Sequence, residues 1–165
     1  MKTILEFLRL SIRLPEKQAV FTLNREGFGL PIVFLCFILF IVSIPLGLQM
    51  VLSGENMAAE LALPIFFVYF TFLYYPFFVL TILTPLVFIT LFLMMYARIV
   101  KRKMSFFMLY KISAFASIIP VIGLSIMILT TVDWLQTVWI VMSIVYILFV
   151  MIRVVHLYPP KRTTK

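Results

Sequence analysis

Reactive side chains are scarce in this sequence. Its 165 residues include one cysteine, one histidine and six carboxylates. A lone cysteine, Cys36, excludes an intramolecular disulfide and any metal site built on several thiolates, and it leaves the redox compartment unread. A lone histidine, His156, leaves any imidazole-dependent mechanism one candidate, flanked by Arg153 and Lys161. There is no His-Glu-x-x-His zinc site, no Gly-x-Ser-x-Gly elbow, no phosphate-binding loop and no Ser-x-x-Lys pair. The expectation is therefore no nucleotide, metal or haem cofactor, although a bound lipid would leave no motif. Charge is sparse as well, at 12% of residues where a soluble domain carries roughly a quarter.

What fills the chain instead is apolar. Hydrophobic residues make up 64% and the mean hydropathy is +1.18, a share that a soluble core cannot absorb. The composition fits an all-α integral membrane protein with room for roughly four helices of about 20 residues. The first uncharged run, Leu30 to Leu52, is opened by Gly27, Gly29 and Pro31 and closed by Ser53-Gly54-Glu55-Asn56, and it predicts a span over 30–52. The second run, Leu61 to Ala97, is too long for one perpendicular helix and barely enough for two. Charge placement decides between the two, because a single crossing leaves every cation on one side. We therefore expect an interfacial or re-entrant lead-in over 57–75, carrying Phe66, Phe67, Tyr69, Phe70, Phe72, Tyr74 and Tyr75, and a second span over 76–98. A long, tilted helix kinked at Pro64, Pro76 and Pro85 is the competing account. Spans over 108–130 and 138–157, joined by a link containing Asp133 and Trp134, and a basic tail over 158–165 complete the expected layout.

Residues 1–17 hold charges that a signal peptide's apolar core would exclude. On a helical wheel Lys2, Glu6, Arg9, Arg13, Glu16 and Lys17 share one arc, and leucines, isoleucines and Phe7 occupy the rest. That pattern predicts an amphipathic helix lying at the membrane surface, with packing on the bundle as the alternative. In this layout all fourteen Lys and Arg fall on one face, while Glu55, Glu60 and Asp133 fall on the other. The positive-inside rule then places both termini in the cytoplasm of a multi-pass plasma-membrane protein. The net charge of +8 has no soluble domain to present it. Anionic lipid, not nucleic acid, is the expected partner.

Chemistry inside the spans is sparse too. None of the four span centres has an ionisable group of the kind that ion coupling, proton relays or intramembrane hydrolysis need. The four-helix multidrug exporters resemble this chain in size but depend on a buried carboxylate that it lacks. Lys111, just inside the third span, is expected to snorkel to the surface, and His156 to sit half in lipid at the interface. Ser113, Ala116, Ser117, Pro120 and Gly123 share a narrow arc, a small-residue face suited to close helix packing, within the chain or with another subunit. Pro45, Pro85 and Pro120 each remove a backbone hydrogen bond within a span, and kinked helices can line a cavity. Arg98, Lys101, Arg102 and Lys103, with Arg9 and Arg13, form a candidate rim for phosphatidylglycerol or cardiolipin, worth about 1 kcal/mol per cation near the surface. Topology alone also accounts for them.

Two stretches, Phe7 to Lys17 and Lys103 to Pro120, resemble an uncharacterised family of polytopic membrane proteins of Gram-positive bacteria, some known as maltodextrin utilisation proteins and distantly similar to Yip-type proteins. The family usually has a larger domain after the first span, where this chain has only Ser53 to Glu60. The resemblance implies a plasma-membrane accessory protein and supplies no catalytic residues. Neutral faces, a small-residue stripe and no charge at depth point the same way, to a non-catalytic subunit, scaffold or regulator of a larger envelope or transport assembly. The rivals are a small oligomeric transporter or channel, and a lipid-handling flippase or enzyme component that uses the cationic rim. The topology is directly testable. A cysteine at Glu60 should react with an impermeant thiol reagent outside the cell and one at Ser105 should not; the reverse labelling would overturn both topology and rim.

Overall fold

The computed structural model of the protein describes residues 4–27, 29–52, 63–129 and 133–159. The expected Ser53–Glu60 connection, the start of the lead-in at 57–62, the link at 130–132 and the tail from Pro160 lie outside the described residues. Every regular element among the described residues is helical: α1 (Ile4–Ile12), α2 (Lys17–Arg25), α3 (Gly29–Leu52), α4 (Leu63–Tyr69), a π-helical turn (Phe70–Tyr74), α5 (Tyr75–Ile99), α6 (Phe106–Ala116), α7 (Ile118–Leu129) and α8 (Asp133–Leu157). Four helical stretches are long and apolar enough to cross a membrane: Gly29–Val51, Pro64–Ile99, Phe106–Ile128 and Trp134–Leu157.

The number matches the composition, but the second stretch differs from expectation. No break separates a lead-in from a span at 75/76; helical pairing runs on from Leu63 to Ile99. The reason lies at Pro76, which has no N–H for the carbonyl one turn back. The helix widens just before it, and the Tyr75 N–H donates to Phe70 O, so the π-turn absorbs the proline without ending the helix. Phe66, Phe70, Tyr74 and Phe78 then stack at four-residue intervals along one face, with centroids 5.9, 5.3 and 6.4 Å apart. The aromatic residues assigned to an interface are thus the first part of one 36-residue helix.

Pro120 acts differently. It leaves Ala116 O without its helical donor, and the third span divides at Ser117 into α6 and α7. Ser105 caps α6, its hydroxyl accepting from the Met108 N–H at 3.4 Å. At the other end of the loop, α5 closes with Lys101 at φ 55. The Arg102 N–H donates to Ala97 O at 2.8 Å and the Lys101 N–H to Arg98 O at 3.1 Å, the double closure that usually places glycine where Lys101 stands.

The broken span is the hub. Of its most apolar window 61% is buried, against 39% for α3, 28% for α8 and 17% for the 64–99 helix, and the other three candidate spans all pack on it. The small-residue face explains the closeness. Ser113, Ala116 and Ser117 are buried, and a Cβ on Gly123 would stand 2.1 Å from the Trp139 ring. Its contacts are therefore internal, since α6 and α7 press it on α3 and α8.

The amino terminus packs on the bundle, the alternative reading of its amphipathic pattern. Phe7 stacks between Phe34 of α3 and Phe115 of α6, at 5.7 and 5.8 Å, and Ser11 and Leu14 are buried beside it. The second short helix, α2, was not foreseen; it buries Ala19, Val20 and Leu23 on α6 and α8. Gly123→Ala is expected to lower the thermal midpoint in detergent, since overpacking typically costs about 1–3 kcal/mol. Adding Trp139→Phe should recover part of the loss. An unchanged midpoint in Gly123→Ala would mean that the α7–α8 contact is not tight.

Candidate functional site

One end of the bundle gathers the described basic residues, and two of them are used by the fold. Lys111 lies on the first turns of α6 and is 8% exposed. It does not snorkel outward as expected. Its Nζ donates to Asn24 O at 2.5 Å and Glu26 O at 2.7 Å, the carbonyls left open where α2 ends. A cation there satisfies orphan acceptors and complements the negative end of the helix dipole. Arg102 does the same for α8, with its Nη1 donating to Tyr158 O. The Tyr158 ring rests 5.2 Å from Phe21 of α2, and burial pushes its hydroxyl pKa above the ordinary value.

The expected rim therefore divides. Arg102 is half-buried and occupied, whereas Arg98, Lys101 and Lys103 are exposed around the end of α5. Arg9 on α1 and Arg13 in the turn just after it are exposed, bordering a shallow cleft with Glu6 and Leu10. The two groups have different neighbours: α1 rests on α2, α6 and α7, while the 98–103 segment joins α5 to α6 beside the end of α8. His156 is exposed, its Nδ1 2.9 Å from Ile152 O and its ring 6.0 Å from that of Tyr96. Among the described residues no three His, Cys, Asp or Glu side chains group as a metal site would require.

A second feature lies within the spans. A groove of about 340 Å³ runs between α5 and α8, floored by α7. Pro85 and Pro120, two of the three mid-span prolines, line it; Pro45 does not. Its walls include Phe78, Ile82, Leu124 and Trp139, and its polar atoms are already engaged. Thr81 Oγ1 donates to Phe77 O, Ser117 Oγ to Ala114 O and Ser143 Oγ to Trp139 O, at 2.7–2.9 Å. The Trp139 Nε1–H donates to Pro120 O at 3.0 Å. The groove thus offers shape and apolar surface but no free donor for an ion or polar solute. The kinking prolines were the signal for it in the sequence; Trp139, which forms one wall, carried no signal of its own.

No family model, curated protein or solved structure matches the chain. Lys111→Met should take the ammonium away from the half-buried Asn24 and Glu26 carbonyls, at a cost of about 1–3 kcal/mol per lost hydrogen bond. We expect faster hydrogen exchange across residues 17–26 with the spans unaffected; unchanged exchange there would show that α2 is held by Ala19, Val20 and Leu23 alone.

Proposed function

We propose that the protein is a non-catalytic polytopic subunit or scaffold of the bacterial plasma membrane, with both termini cytoplasmic, that binds other membrane proteins through its 64–99 helix. One observation carries this reading: 36 consecutive helical residues with only 17% of their most apolar window covered by the rest of the chain. At about 1.5 Å per residue the helix is about 54 Å long, against about 30 Å of hydrocarbon and 40–45 Å with the headgroups. Lipid alone covers such a helix only at the steep end of the observed tilts, up to about 40°. Upright, it carries apolar surface out of the hydrocarbon. The surface at the far end from the cations includes Phe67 and Phe72, 66% and 74% exposed, the aromatic type enriched where proteins meet.

A second reading, a lipid-handling component, is favoured by the exposed cations Arg98, Lys101, Lys103, Arg9 and Arg13, which suit anionic headgroups. Native mass spectrometry of tagged protein from its own membrane separates the two. A stoichiometric protein partner, lost when Phe67 and Phe72 are both replaced by Gln without loss of insertion, is the expected result. Recovery of the chain alone or as a homo-oligomer retaining anionic lipid would overturn the subunit reading in favour of lipid handling or a channel.

A further inference from the structure

We propose that the groove between α5 and α8 is a binding site for one acyl chain of a membrane phospholipid, admitted sideways from the bilayer. The inference rests on the groove's size, its polarity and its opening, and does not depend on the subunit reading.

Size selects a single chain. The groove of about 340 Å³ lies in the range of small-ligand sites, roughly 300–1,000 Å³. Its wall on α8 extends from Trp139 to Ile147, about 12 Å along the axis. A helix about 10 Å across fills roughly 400 Å³ with each turn, more than the whole groove, so the groove cannot enclose one. A methylene needs about the room of a water molecule, roughly 30 Å³, so the groove takes about eleven carbons in file.

Polarity excludes the other small occupants. The hydroxyls of Thr81, Ser117 and Ser143 are turned onto their own helices, and the indole N–H is held by Pro120 O. Water needs two or more polar partners to stay in such a site, and a headgroup needs charge. Hydrocarbon satisfies every wall.

The opening decides the source. Thr81 and Pro85 on α5, and Ile140 and Ile144 on α8, line the groove and are exposed, so they form its lips. These helices belong to the two candidate spans least covered by the chain, and the medium outside their lips is the bilayer interior. Trp139 stands six residues after the α8 start at Asp133, so the groove lies toward the end of the bundle opposite the cations. The chain it takes belongs to the leaflet at that end.

The two tryptophans make the test direct. Trp134→Phe leaves Trp139 as the sole tryptophan, excited selectively on the red edge beyond the seven tyrosines, in the full chain reconstituted into phosphatidylcholine–phosphatidylglycerol vesicles brominated at mid-chain. Bromine quenches on contact, so strong quenching of Trp139 is expected. Adding Thr81→Phe or Ser143→Phe, which fill the groove from different helices, should reduce it several-fold. A tryptophan placed at exposed Phe88, with Trp134 and Trp139 replaced by Phe, should stay quenched with either filler. Trp139 unquenched, or quenching unmoved by both fillers, overturns the proposal. So does shielding of Trp139 by a co-purified protein, which would make the groove a helix-docking site. Labelling of the unaltered chain with a phospholipid bearing a mid-chain diazirine supplies a readout free of variants: adducts on Pro120 and Leu124 support the site, and adducts confined to outward residues such as Phe88 refute it.

Discussion

Apolar surroundings supply no partner for a stray backbone hydrogen bond, and that constraint shapes every irregular place in this bundle. Pro76 takes one donor away and a π-turn re-pairs the chain around it. Pro120 takes another and the third span divides. Three hydroxyls are bonded to their own helices: Ser43 to Phe40 O, Thr90 to Leu86 O and Ser143 to Trp139 O. Where helices meet, Tyr75 Oη donates to Cys36 O at 2.8 Å and Trp139 Nε1 to Pro120 O. These bonds tie α5 to α3 and α8 to α7, so the pairing requirement also sets the packing.

The same constraint divides the cations by purpose. Lys111 and Arg102 are used on open carbonyls at the ends of α2 and α8. Lys101 accepts an unfavourable backbone conformation to close α5, where glycine would be easier by roughly 1 kcal/mol. Arg98, Lys103, Arg9 and Arg13 remain outward. A cluster that looks uniform as a run of letters is therefore part scaffold and part surface, and only the surface part is available to a headgroup.

Much of the architecture was legible because it follows from bulk quantities. Uncharged runs of span length point to the four long helices, and the helical wheel of residues 1–17 points to an amphipathic helix, of which Ile4–Ile12 forms α1. The boundary at 75/76 was misplaced because aromatic residues and prolines mark an interface by frequency, whereas one proline with a π-turn continues a helix. The α2 helix is only nine residues long, and its signal, Ala19, Val20 and Leu23, is short. Lys111 looked like a snorkelling side chain because its partners, Asn24 and Glu26, lie more than eighty positions away. The groove is likewise a product of three helices together; Pro85 and Pro120 hinted at a cavity, but no single run of residues encodes its volume.

The hub position of α6 and α7 has a consequence for how the molecule comes into being. The chain is synthesised from its amino terminus, yet α1 and α2 rest on surfaces made more than eighty residues later: Phe7 on Phe115, and the end of α2 on Lys111. Until the third span emerges, Phe7 has Phe34 but not Phe115 beside it, and Leu23 lacks the surfaces of α6 and α8. The nascent amino terminus is then a one-sided helix whose apolar face is only partly covered. The place of the first residues in the finished fold is thus settled by residues that the chain supplies late.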